Sequence, residues 1–179
     1  MRSRIAAGLL AVLAGAAGAT AVADAEERVF TRVRGLDAEF QALIREGDAR
    51  SITFRDLVDE IQRSNTIVMI QYGQCAKGLI RSCVTHVSGG PKTRNIRIVI
   101  NTRTTNDRLM ATIAHELHHA VEIIRTPDAT DAEQVMALYR RIGKGDCAKG
   151  RSDRCETEAA LAVEAKVLDE LDRSPRRQP

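Results

Sequence analysis

Three of the four histidines fall within five residues, in the segment Ala114-His115-Glu116-Leu117-His118-His119-Ala120. The surrounding apolar residues, Leu109, Met110, Ile113, Leu117, Ala120, Val121 and Ile124, recur at helical spacing. The pattern predicts a helix over about 106–124, capped by Asn106 or Asp107 and ended by Thr126-Pro127. On a helix, residues four apart lie one turn above each other on the same face. His115 and His119 therefore aim two imidazoles at one point, and whatever packs against this helix must accommodate them. Glu116 is turned about 100° from His115, beside that point rather than on it. Two imidazoles so placed suit one tetrahedral zinc ion, and the adjacent carboxylate suits a base for a zinc-bound water. His118 lies on another azimuth and reads as a solvated or supporting side chain. Glu122 shares the ligand face, where it can accept a hydrogen bond from a ligand imidazole or pair with Arg125 on the surface. His86 stands apart and reads as a structural histidine.

The rest of the chain bounds where such a helix can sit. A length of 179 residues allows one domain with a real core and excludes two large ones. Aromatic residues make up only 3%, so Leu, Ile, Val and Ala must fill that core. Basic residues are scattered among acidic ones without an aromatic platform, which argues against nucleic acid as a partner. Arg2 and Arg4, the apolar run Ile5 to Ala19 and the small residues of Ala21-Val22-Ala23 form the pattern of a secretory signal peptide over residues 1–23. Cleavage would take the formal charge from +3 to 3 − 2 = +1, leaving no strong electrostatic preference for a partner. Left uncleaved, the same run would be a membrane anchor, although it is short and Gly-rich for a spanning helix. The expected location is secreted or periplasmic. Four cysteines in an oxidising compartment pair most simply as Cys75–Cys83 and Cys147–Cys155. Their spacing is too wide for a cysteine zinc site.

Periodicity gives the remaining elements. Glu26 to Arg34 alternates weakly, as a first strand would. Leu36 to Arg45 reads as a helix stopped by Gly47, and a second helix follows Ser51 or Thr53 with Phe54, Leu57, Val58 and Ile61 on its apolar stripe. Thr66 to Tyr72 reads as a buried strand. The Cys75–Cys83 segment reads as a loop or hairpin, Val84 to Val87 as a short strand, and Gly89-Gly90-Pro91 as a turn. Ile96 to Asn101 alternates cleanly, as a strand at a sheet edge would. Asp131 to Arg141 and Glu156 to Arg173 complete the helices, and the tail 174–179 reads as disordered. This order predicts a single α+β domain over 24–173, with a small mixed sheet packed on helices.

The segment Ile113 to Val121 resembles the zinc helix of the gluzincins, the thermolysin-like branch of HExxH metallopeptidases. The metzincin continuation, Gly and a third His, is absent from Ala120-Val121-Glu122-Ile123-Ile124-Arg125. The resemblance implies a zincin-like domain in which His115 and His119 bind zinc, Glu116 is the catalytic base, and an acid near Glu156 is the third ligand. Glu156 and Glu158 compete for that role. If Glu156 opens the last helix, at about 100° per residue it falls about 60° from the centre of the stripe formed by Leu161, Val163, Val167, Leu168 and Leu171. Glu158 then falls on the charged face with Asp169 and Asp172, so geometry favours Glu156. The implied activity is zinc-dependent hydrolysis of a peptide or protein substrate, by water activated at Glu116. Ile96 to Asn101 is the candidate strand for holding that substrate by backbone pairing, and Tyr139 and His86 are oxyanion candidates by residue type, with Tyr72 as easily a core residue. The alternative is a binding or interaction protein of the cell envelope that keeps the fold without catalysis.

Overall fold

The computed structural model describes residues 28–75, 80–90, 92–144, 147 and 155–174; the expected signal segment and the tail 175–179 lie outside them. The described residues form an α+β unit in the order β1 (Val33–Gly35), α1 (Ala38–Arg50), α2 (Ile52–Gln62), β2 (Thr66–Tyr72), β3 (Ser82–Gly90), β4 (Thr93–Ile100), α3 (Asn106–Ile124), α4 (Ala132–Ile142) and α5 (Glu158–Arg173).

The four strands form one mixed sheet in the order β1-β2-β4-β3. The first three run parallel, and β3 runs antiparallel to β4. Parallel pairing of β1 with β2 requires a crossover, which α1 and α2 supply. Adjacent residues in register share a face, so Val33, Val68, Ile96 and Val87 form one apolar row, with Ile70, Ile98 and Val84 beside it. This face packs under the helices; Val33, Val68, Ile70, Ile96, Ile98 and Ile100 are fully buried. The opposite face carries the exposed Arg97.

Ile96 to Asn101 is therefore not an edge strand. Ile96 to Ile100 lies in β4, between β2 and β3, and the two edge strands are β1 and β3. Its polar alternation reports a sheet with one open face. The first strand is also shorter than its alternation suggested, being confined to Val33–Gly35. α1 runs through Gly47 to Arg50, capped by Asp37. Gly47 does not stop the helix because its role is close approach: a Cβ there would lie 2.9 Å from the Phe54 ring of α2.

α3 occupies the expected span and is buried on most sides, as expected of a helix with apolar residues around its circumference. Thr105 takes the N-cap position without a side-chain hydrogen bond, in place of Asn106 or Asp107. Asp107 instead accepts from Arg50 Nη1 at 2.8 Å, while Arg50 Nη2 donates to the Leu171 carbonyl at 2.8 Å. At the other end, the buried Arg94 of β4 donates to the carbonyls of Ile123 at 2.6 Å and Pro127 at 2.9 Å. A cation complements the carbonyl end of a helix. Two buried arginines thus fix α3 at both ends, one from α1 and one from the sheet. α5 is tied in by Glu170, which accepts from Ser51 Oγ at 2.6 Å, Thr53 Oγ1 at 2.7 Å and Thr53 N at 2.9 Å, capping α2 from outside.

Both disulfides join the expected partners, Cys75–Cys83 and Cys147–Cys155. Among the described residues, no helix is long and apolar enough to cross a membrane.

Candidate metal centre

α3 presents His115 and His119 toward Glu156, as the four-residue spacing requires. Glu156 Oε2 lies 2.9 Å from His115 Nε2 and 3.8 Å from His119 Nε2. One donor atom from each of the three residues falls within 4.8 Å of the others. A tetrahedral zinc with ligand bonds of about 2.0–2.1 Å separates neighbouring donors by about 3.3 Å, which the two measured distances bracket. The imidazoles are nearly perpendicular, at 82°.

Each outer ring nitrogen has a carboxylate nearby, and one of the two is hydrogen-bonded to it. His119 Nδ1 donates to Glu122 Oε2 at 2.8 Å. Glu122 also accepts from Thr157 Oγ1 at 2.7 Å and stands 3.5 Å from His118 Nε2. Of its two expected roles, Glu122 therefore takes the one beside the ligand; Arg125 pairs with Glu60 instead, at 2.6 Å. His115 Nδ1 is buried without an aligned hydrogen bond, its nearest carboxylate being Glu164 Oε2 at 3.4 Å. Such outer carboxylates fix the tautomer that presents Nε2 to a metal.

Electrostatics lead to the same place. Burial disfavours charge on His115, but the neighbouring carboxylates of Glu156 and Glu164 outweigh it and raise its pKa to about 10. Burial likewise opposes His119, and hydrogen bonds to Glu122 and Glu156 raise it to about 9. Burial would raise Glu156, yet hydrogen bonds from both histidines pull it down to about 2. The cluster favours positive charge between its three donors. Two protons can supply it, and so can one divalent cation. The donor set of two imidazoles and a carboxylate is one that zinc accepts, with a coordination position left open.

Glu116 is buried and lies beside the cluster. Burial raises its pKa, while the His119 charge and a hydrogen bond from Ser82 of β3 work against the rise. Its Oε2 has no hydrogen-bond partner among the described residues. Glu116, His119 and Glu156 line a cleft of about 400 Å³, with β3 on one side and Val135, Met136 and Tyr139 of α4 on another.

Not every expected residue takes its expected place. Glu156 meets the histidines, but it is not in the last helix. α5 begins at Glu158 behind the N-cap Thr157, and Glu156 sits in an isolated bridge with Lys144. The azimuth argument favoured the acid that meets the histidines, but for a helix that does not include it. Glu158 is exposed and pairs with Lys144. Tyr139 stacks edge-on against His119, with centroids 5.4 Å apart, and its hydroxyl donates to the His119 carbonyl at 3.3 Å. Tyr72 packs against Phe40 and donates to Glu39 at 2.8 Å, away from the centre. His86 is exposed, on the stretch of β3 that lines the cleft, and a bulge at Thr85 pairs it with Arg97. Sequence reasoning missed Ser82 and Glu164. Glu164 also pairs with Arg81 at 3.0 Å, and no short spacing in the sequence links any of these residues to the motif.

The chain matches no protein-family model, no curated protein and no solved structure. The chemistry has to be read from the site itself.

Proposed function

We propose that this protein is an exported zinc-dependent peptidase, with His115, His119 and Glu156 as the metal ligands and Glu116 as the base. The observation that carries the reading is the convergence of three ligand atoms beside a buried carboxylate with an unpartnered oxygen, with His119, Glu156 and that carboxylate lining one cleft. The two disulfides suit an oxidising compartment.

When bound, zinc would supply Lewis-acid polarisation of the scissile carbonyl and a lowered pKa for water. The chain's own residues supply the rest. Glu116 Oε2 is free to take a proton from the attacking water and hand it to the leaving amine. Burial raises the basicity of this carboxylate, which brings it closer to the range useful for general-base work. Ser82 holds the other side of the carboxyl group. β3, as the edge strand along the cleft, offers unpaired backbone groups for an extended peptide. This role replaces the one expected of Ile96 to Asn101. A purely binding protein would have no use for a buried, half-satisfied glutamate, since such a group costs stability.

Hydrolysis of a denatured-protein or peptide library tests the proposal. Cleavage is expected with the oxidised wild-type protein, blocked by a chelator and absent in Glu116→Gln. Zinc-replete wild-type protein that cleaves nothing in the library would favour the binding role, and cleavage unaffected by chelator would refute the zinc reading.

A further inference from the structure

Glu156 is the only one of the three donors outside a regular element. It sits between Cys155 and Thr157, and each neighbour is anchored to something buried. Thr157 reaches Glu122, the carboxylate that holds His119. Cys155 is joined to Cys147, which is fully buried. Cys147 packs against the end of α4 so closely that a Cβ on Gly143 would lie 2.9 Å from its sulfur. Among backbone contacts, Glu156 has the bridge to Lys144, where Lys144 N donates to the Glu156 carbonyl at 2.8 Å. Its side chain is half exposed, so packing does little to hold it.

The second disulfide is placed differently. Cys83 lies inside β3, whose residues are already held by the ladder to β4. Asn101 N adds a bond to the Arg81 carbonyl at 2.7 Å. Removing Cys75–Cys83 leaves that register in place.

We propose that the Cys147–Cys155 disulfide is a positioning element of the metal centre: it anchors the residue before Glu156 and so sets the third ligand against His115 and His119. The inference rests on the zinc reading above. Its consequence is that zinc affinity depends on this disulfide and not on Cys75–Cys83. Supporting groups of a metal ligand typically change affinity by about 10–100-fold, and a loss in that range is expected here.

The test is zinc affinity, measured by competition with a chromophoric chelator on the full exported chain. Wild type is compared with Cys147→Ala/Cys155→Ala, with Cys75→Ala/Cys83→Ala, with Glu156→Ala, and with the first pair combined with Glu156→Ala. Alanine avoids free thiols that would bind zinc themselves. The Cys147/Cys155 variant should lose about 10-fold or more, and Cys75/Cys83 should stay near wild type. In the Glu156→Ala background, removing Cys147–Cys155 should cost almost nothing further, because the disulfide acts through that carboxylate. Far-UV circular dichroism checks that each variant is folded. Equal losses with and without Glu156, equal losses from both cysteine pairs, or no loss at all would overturn the proposal. Failure of the oxidised wild type to bind zinc would overturn the metal reading itself.

Discussion

Glu122 holds His119, one of the proposed metal ligands, by a bond whose loss can be sized. Its carboxylate accepts from His119 Nδ1 at 2.8 Å and Thr157 Oγ1 at 2.7 Å, and its side chain is 10% exposed. Burial would raise its pKa, but hydrogen bonds from His118, His119 and Thr157 bring it down to about 2, so it is charged at neutral pH. Glu122→Gln keeps the shape and removes the charge. If the amide oxygen accepts from His119, the amide nitrogen must face Thr157 Oγ1. That hydroxyl already accepts from Ala160 N at 3.1 Å, and its own hydrogen then has no acceptor in the carboxamide. One charge-assisted hydrogen bond and the charge itself are lost, so folding stability should fall by about 1–3 kcal/mol. Zinc affinity should fall by about 10–100-fold, equivalent to about 1.4–2.7 kcal/mol. Glu122→Ala removes both acceptors and should cost more on both scales. Chelator competition gives the affinity and urea unfolding of the metal-free protein gives the stability. Wild-type zinc affinity in both variants would refute the assignment of Glu122 as the group that orients His119.

Three other outcomes follow from the geometry. Glu156→Ala should weaken zinc binding far more than Glu158→Ala, because Glu158 is exposed and engages only Lys144; the reverse order in a chelator titration would move the ligand to Glu158. Glu170 is favoured by burial to be neutral, but hydrogen bonds from Ser51 and Thr53 lower its pKa. Its contribution to stability is therefore present above the ordinary carboxylate range and is lost as pH falls through the lowered value. Urea midpoints of wild type and Glu170→Gln should converge on acidification, and a constant difference across pH would contradict this. Gly47→Ala should destabilise by about 1–3 kcal/mol through overpacking against Phe54, and an unchanged urea midpoint would show that the contact relaxes freely.

Local structure was legible where one periodicity dominated. α3 and β2 occupy the spans their apolar residues predict, and short-range cysteine pairing gave both disulfides. Long-range choices were not legible. The alternation of Ile96 to Asn101 suggested an edge strand, yet β4 is central; Arg97 faces solvent, while Arg94, earlier in the same strand, is buried under the carbonyl end of α3. Polar residues with partners far along the chain cannot be told from exposed ones by pattern alone. The same holds for Arg50, whose partner Leu171 is 121 positions away, and for Glu164 beside His115. In the candidate site, the helix motif placed His115, His119 and Glu116, because helix geometry alone fixes them. Glu156 was chosen by an azimuth it does not have, since Thr157 caps α5 and leaves Glu156 outside.

The most direct test of the central claim is anomalous scattering at the zinc edge from crystals of the oxidised protein grown without added metal. The account predicts a single strong peak between His115 Nε2, His119 Nε2 and a carboxylate oxygen of Glu156, at about 2.0–2.2 Å from each. Absence of a peak both in these crystals and after soaking them in zinc, or a peak coordinated by other residues, would contradict it.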